Sequence, residues 1–311
     1  MDFNKTTGNY KSKDGVNTIK YYVYKPQGEI KGIMQISHGM CEYVERYEPH
    51  IAFFTAHGFL VCGNDHLGHK GSVLNDDDLG YMGSQNGWKY MVEDVHRMTV
   101  VIKKQYPDLP VVLFGHSMGS FISRAVIAKY GDEYAGYICS GTGGTNKMVN
   151  SGLQMIRLVR KFKGERYRSP FLTKVSFGSY NKKYHPVRTD YDWLTRDESV
   201  VDAYMKDKYD MFIFTAAAYE DLLSVLRYVS SDAWYEAVPT DLPFFLISGD
   251  MDPVGDYGEG VREVYDRLYE RQHDELRMRL YENMRHETLN EVGREEVYND
   301  ILGFLCEHCG N

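Results

Sequence analysis

Three observations predict an α/β fold with a mostly parallel central sheet, helices on both faces and an inserted helical lid. Short apolar runs alternate with helix-length amphipathic segments over residues 16–141 and again from residue 243. The pentapeptide Gly115-His116-Ser117-Met118-Gly119 stands between an apolar run and a helical segment. Residues 142–240 break the alternation, which divides the chain into a first core part (1–141), a lid (142–240) and a second core part (241–311).

Val16–Tyr24 (VNTIKYYVY) is β-branched and aromatic and reads as an early strand. Lys31–Ser37 is an apolar run ending at His38-Gly39, and Pro49–His57 reads as a helix stopped by Gly58. Phe59–Gly63 is the next strand. Over residues 88–106, Met91, Val95, Met98, Val101 and Ile102 recur at helical spacing, and Pro107 closes the segment. Val111–Phe114 is a strand, Met118–Tyr130 a helix and Tyr137–Cys139 a short strand. After the interruption come the strand Pro243–Ser248, the helix Glu259–Gln272, the strand Leu276–Tyr281 and a final helix over 291–306. Runs this short and this apolar suit strands buried on both faces.

The 311 residues are 43% hydrophobic and carry 36 Lys/Arg against 44 Asp/Glu, a net charge of −8. Such a chain can build a sizeable core and lacks the basic surface that nucleic acid demands. It has no apolar run of about 18 residues to span a membrane. Its start, MDFNKTTGNY, lacks the basic and apolar regions of a signal peptide. The five cysteines read as reduced thiols, and the predicted location is cytoplasmic. The tail Cys306-Glu307-His308-Cys309 reads as the end of a packed helix, because a lone CxxC offers too few zinc ligands. Asp76–Asp78 reads as a solvated loop, since three consecutive carboxylates cannot all face one ion. No metal and no cofactor are predicted.

The chemistry centres on Ser117. A sharp strand-to-helix turn lifts its hydroxyl above the sheet edge, and glycines at 115 and 119 avoid clashes with neighbouring backbone. A serine needs a base, and the base needs an acid to orient it; in this turn context the chain order is Ser, then Asp or Glu, then His. His286 follows the strand Leu276–Tyr281, at the end from which a base could reach Ser117, whereas His273 precedes that strand, His185 lies in the insertion and His308 in the tail. For the acid, Asp252 can point from its loop toward His286, while Asp250, the runner-up, is expected to be held in the turn by an Asx-type bond. The oxyanion donors are the amides of Met118, at a helix N-terminus, and of Met40, after the His38-Gly39 turn. Asp65 and His66 are read as loop supports. Glu42 and Arg46, spaced i,i+4, fit a surface pair.

The segments SHGMCEYVERYEPHIAFFTAHGFLV, DHLGHKGS, FGHSMGS, SGDMDPVG and RHETLNE together resemble the monoacylglycerol lipase and lysophospholipase branch of the α/β-hydrolase fold, sometimes labelled serine aminopeptidase-like. The resemblance covers about residues 16–145 and 243–305. RTDYDWLTRDESVVDAY is similar to a subgroup of bacterial members described as lysophospholipases or uncharacterised hydrolases. The resemblance places the nucleophile on Ser117, the acid on Asp252, the base on His286 and the oxyanion amides on Met40 and Met118. It assigns Glu42 to the glutamate after the HG turn, a substrate-binding position, and Arg46 and Tyr47 to the residues that follow it. His66 and Lys70 depart from the pattern at loop positions, where they bear on specificity. The implied substrate is a monoacylglycerol, a lysophospholipid or another small acyl ester.

Thr142–Asp190 carries 11 Lys/Arg against two acids, a charge of +9 that leaves −17 for the rest. Leu153, Ile156, Val159 and Phe162 recur every three residues among Arg157, Arg160, Lys161 and Lys163, which predicts an amphipathic lid helix. Its apolar stripe either packs on the core, the favoured reading, or makes peripheral contact with an anionic membrane. Two other functions stay open. A peptidase would need a lid carboxylate for the substrate ammonium, with Asp190, Asp192, Asp197, Glu198, Asp202 and Glu220 as candidates. A non-catalytic receptor or scaffold could use the same fold.

Overall fold

The computed structural model describes residues 3–310; residues 1, 2 and 311 of the predicted core parts lie outside it. Eight strands form one sheet in the order β1-β2-β4-β3-β5-β6-β7-β8. These are β1 (Phe3–Lys11), β2 (Thr18–Pro26), β3 (Gly32–Ser37), β4 (Phe59–Asn64), β5 (Val111–His116), β6 (Gly136–Ser140), β7 (Phe244–Gly249) and β8 (Leu276–Tyr281). The β1–β2 and β2–β4 pairs are antiparallel and the rest are parallel. Strands β3 to β7 are buried at every position, as their uninterrupted apolar sequences require. The sequence reading has no counterpart of β1. Its sequence FNKTTGNYK buries only Tyr10, so an edge strand with polar residues on both faces carries no apolar signature.

Side chains alternate between two cores. Met34, Ile36, Val112, Phe114, Ile138 and Ile247 face helices α1 (Glu48–Ala56) and α10 (Glu295–Cys309), which bring in Ile51, Phe54, Ile301 and Phe304. Ile33, Leu113, Tyr137 and Leu246 face α2 (Gly87–Gln105), α3 (Met118–Tyr130) and α9 (Glu259–Glu270). Strand order reverses between β3 and β5, so the crevice at their carboxyl ends, where Ser37 pairs with Gly115, is the switch point at which open α/β sheets bind ligands.

Between β6 and β7 the chain forms α4 (Val149–Lys163), α5 (Pro170–Phe177), α6 (Glu198–Tyr204), α7 (Ala216–Val229) and α8 (Asp232–Ala237). Helices α7 and α8 are built into the core layer. Val225, Val229 and Trp234 are fully buried, and the Trp234 indole donates to the Arg124 carbonyl of α3 at 2.7 Å. The expected stripe on α4 corrects itself in part. Leu153 and Ile156 are buried, but Phe162 is 75% exposed. Three residues advance a helix by about 300°, so nine residues carry a side chain to the opposite face.

Candidate active site

Ser117 sits between β5 and α3 with φ 54° and ψ −124°, a backbone conformation that side-chain-bearing residues avoid. Its N–H donates to the Ser140 carbonyl at 3.0 Å, which fixes the turn against β6. The flanking glycines are obligatory. A Cβ at Gly119 would lie 2.0 Å from the Ser37 carbonyl oxygen, and one at Gly115 would lie 1.9 Å from Ser123 Oγ. The turn after β3 presses on the same point, because a Cβ at Gly39 would lie 3.0 Å from the Ser117 Cβ. Among the described residues no protein acceptor takes the Met40 N–H. Met118 is the first residue of α3, so its amide is one of the four that a helix leaves without an internal partner. Both amides are therefore available donors, Met118 directly after Ser117 and Met40 directly after the Gly39 that packs on it.

His286 and Asp252 meet on the loops after β8 and β7. His286 Nδ1 lies 2.9 Å from Asp252 Oδ2, with the two side chains 2% and 0% exposed. Asp252 is held from two further sides: Ser248 Oγ donates to Oδ2 at 3.1 Å and the Val254 N–H to Oδ1 at 2.8 Å. The two loops are locked by close approach, since a Cβ at Gly249 would lie 2.0 Å from the Met284 carbonyl oxygen. Burial disfavours the charged imidazole most strongly, but the Asp252 carboxylate, with Glu287 and Glu42 adding to it, raises the His286 pKa above the usual 6.5. The imidazole packs on Gly141, next in chain to the residue that holds the Ser117 amide; a Cβ there would lie 3.1 Å from its Cε1. No hydrogen bond joins the Ser117 hydroxyl to His286 among the described residues. Active-site bonds of this kind often tighten only with substrate.

Glu42 and Arg46, whose i,i+4 spacing fits a surface pair, belong instead to an enclosed ionic group with Glu287 and Asp210. Arg46, its side chain 12% exposed, donates to both oxygens of Glu287 at 2.8 Å, to Glu42 at 3.2 Å, and lies 3.7 Å from Asp210. It holds the Glu287 carboxyl down at about 2 against the effect of burial. Asp210, more distant and also buried, is pushed up to about 8. Glu42, expected at the substrate, turns inward: Oε1 accepts the Gly39 N–H and the Tyr47 hydroxyl, the latter at 2.8 Å. The His116 ring packs at a tilt against His286, with centroids 4.7 Å apart, and is kept neutral by burial, which lowers its pKa to about 3.

The other sequence candidates lie elsewhere. Asp250 is half-buried, its Oδ1 is enclosed without a partner, and the Asx-type bond expected for it does not form. His273 is buried at the opposite end of β8 from His286, and His185 is exposed. Asp65 accepts from Val44 N, Gly71 N and Tyr22 Oη at 3.0 Å each and is a loop support, as is His66, whose amide donates to His38 Nε2 at 2.9 Å. Asp76 and Asp78 pair with different cations, Lys208 and Arg166. In the tail, His308 groups with Glu275 and Glu307, but the Arg277 guanidinium bridges both carboxylates and occupies the place of a metal. The lid carboxylates are already engaged: Asp192 by Thr189, Asp197 by Arg294, Asp202 and Glu198 by Arg188, Glu220 by Arg157 and Arg160; Asp190 is exposed.

Solved structures with this architecture include esterases and lipases. A highly thermostable carboxyl esterase from Bacillus coagulans, in complex with glycerol, superposes with a TM-score of 0.91 over 99% of each chain at 29% identity. The protein is thus an α/β hydrolase and, with the relatives below, a serine ester hydrolase. It belongs to the hydrolase family described as serine aminopeptidase, S33, whose profile matches residues 28–293. The chain is 26% identical over 298 residues to a monoacylglycerol lipase of Mycolicibacterium smegmatis, covering 93% of each protein. It is 26% identical over 282 residues to the monoglyceride lipase of Mus musculus, covering 90% of this chain and 82% of that one.

Proposed function

We propose that the protein hydrolyses monoacylglycerols and related small acyl esters through an acyl-enzyme on Ser117, with His286 as base and Asp252 as its orienting acid. The buried His286–Asp252 pair at 2.9 Å beside the Ser117 turn carries this reading. Asp252 holds the proton on Nδ1 and leaves Nε2 as the basic nitrogen. Ser117 loses its proton to His286 as it attacks the acyl carbonyl. The oxyanion accepts from the Met40 and Met118 amides, each donor contributing about 3–4 kcal/mol. His286 then protonates the leaving alcohol, and water repeats the sequence to release the acid. Glu42 serves the reaction by gripping the Gly39 amide, which shapes the oxyanion turn, and does not contact substrate.

Residues 142–215 act as the lid, whereas α7 and α8 complete the core. The esters are favoured over aminoacyl amides because every candidate lid carboxylate except the exposed Asp190 is engaged by a local partner. Glycerol in the Bacillus esterase complex suggests glycerol as the leaving alcohol. A panel of monoacylglycerols, p-nitrophenyl esters and aminoacyl anilides tests this; kcat/KM for the esters should exceed that for the anilides by about 100-fold or more, the range in which one mismatched polar group discriminates. Anilides turned over at equal rate would transfer the assignment to peptidase chemistry.

The His286 pKa gives a pH prediction. The imidazole must be neutral to act, so kcat/KM falls as pH drops through a pKa raised above 6.5. Glu287 raises that pKa, so Glu287→Gln should move the acid limb of the profile to lower pH. An unmoved limb would remove Glu287 from the site's electrostatics.

We read the enzyme as cytoplasmic, in keeping with its five free thiols; no helix among the described residues is long and apolar enough to cross a membrane. Peripheral contact is supported by the exposed Leu158, Phe162, Phe171 and Val175 beside Lys161, Lys163 and Lys174. Phe162→Ser/Phe171→Ser should then lower co-sedimentation with phosphatidylglycerol vesicles; unchanged co-sedimentation, or none by the wild type, refutes the contact.

A further inference from the structure

His286 stands on an irregular loop, and a base on a loop needs something to hold it. The amide of His286 donates to the Trp193 carbonyl at 3.4 Å and that of Glu287 to the Leu194 carbonyl at 2.7 Å. Trp193 and Leu194 belong to the lid span, more than ninety residues earlier, within the segment RTDYDWLTRDESVVDAY. The contact continues on both sides. Arg285 reaches back to the carbonyls of Asp192 and Thr195, and Thr195 Oγ1 donates to the Asn290 carbonyl at 3.0 Å.

Arg196 closes the seam on Glu291. Its amide donates to Oε1 at 3.0 Å, its Nε to Oε2 at 2.8 Å, and its Nη2 to the Val292 carbonyl at 2.8 Å. Glu291 is fully buried and also accepts the amides of Arg285 and Val292 at 2.9 Å each. One carboxylate therefore gathers donors from the segment before His286, the segment after it and the lid. The Trp193 indole lies over the base, with ring centroids 5.1 Å apart, and is itself backed by Phe177 and Tyr180.

We propose that the strap Asp192–Arg196, clamped on Glu291, positions the His286 imidazole, so that this part of the lid is a working mount for the base as well as a cover. The inference rests on His286 being the base. A buried backbone donor left unpaired is costly, so the loop amides at 286 and 287 follow the carbonyls of Trp193 and Leu194 wherever the strap sits. Misplacing a catalytic group by about 1 Å can cost about 100-fold in rate. Arg196 and Trp193 are positioning residues, since neither need touch the reacting atoms.

The test uses full-length Arg196→Ala, Arg196→Lys and Trp193→Leu with p-nitrophenyl acetate, a substrate too short to depend on the lid for binding. The folded fraction of each variant is measured by near-UV circular dichroism and size-exclusion chromatography, so that kcat is expressed per folded molecule and unfolded protein does not count. Arg196→Ala and Trp193→Leu should lower kcat about tenfold or more with KM changed less than about threefold. Arg196→Lys should recover part of the loss, because one donor to Glu291 is restored. Should Arg196→Ala fail to fold, Trp193→Leu carries the test. Wild-type kcat per folded molecule in these variants would overturn the inference, reducing the strap to a stability element. His286→Ala separates the two levels: if it retains wild-type kcat, the assignment of the base fails; if it is inert while the strap variants are normal, only the positioning role fails.

Discussion

Ser117→Ala is expected to lower kcat for p-nitrophenyl esters by about 10⁵–10⁶-fold while leaving the fold intact. The whole route through an acyl-enzyme requires this oxygen. Ser117 sits where the strand–helix turn, the start of α3 and the close approach of Gly39 from the β3 loop meet. Alanine adds no atom, and the serine hydroxyl makes no hydrogen bond to other described residues, so the turn loses no support when it is removed. Steady-state hydrolysis together with a thermal melt checks both halves of the expectation. A residual rate within about tenfold of wild type would mean that another group attacks the ester.

Asp252→Asn is the second large effect, a fall in kcat of about 10⁴-fold. The substitution preserves shape. The amide oxygen can still accept the Val254 N–H, and the amide nitrogen takes the place of Oδ2, facing Ser248 Oγ and His286 Nδ1. There it donates to the imidazole where the carboxylate accepted. The proton is driven from Nδ1 to Nε2, and the nitrogen meant to take the serine proton is already protonated. Loss of the carboxylate also removes the main cause that raises the His286 pKa, so the remaining activity should extend to lower pH. A kcat within about tenfold of wild type, or an acid limb that does not move, would show that Asp252 does not orient the base.

What could be read from the sequence follows the range over which the physics acts. Strands β3 to β7 are buried on both faces, and that burial writes itself as apolar runs in VVLF or PFFLIS. The nucleophile turn is equally local, since Gly115 and Gly119 are needed by atoms within a few residues or on the adjacent strand. The polar edge strand β1 had no such signature. The supports of the site were hidden for another reason: Arg46 finds Glu287 at a separation of 241 residues, and Arg196 finds Glu291 at 95. Each looks like an ordinary surface charge until the fold brings its partner to it. Glu42 shows the same limit, because its place after the HG turn is visible in sequence, but its inward rotation onto the Gly39 amide is set by Tyr47 and Arg46 together. The three-residue recurrence on α4 failed differently, as a period that drifts around the helix instead of following one face.

The most direct measurement is the rate and position of covalent labelling by a fluorophosphonate, mapped by mass spectrometry of the digested protein. A single adduct on Ser117 is predicted in the wild type, with its rate falling by orders of magnitude in His286→Ala. An adduct on another residue, or labelling of His286→Ala at the wild-type rate, would contradict a serine made nucleophilic by that imidazole.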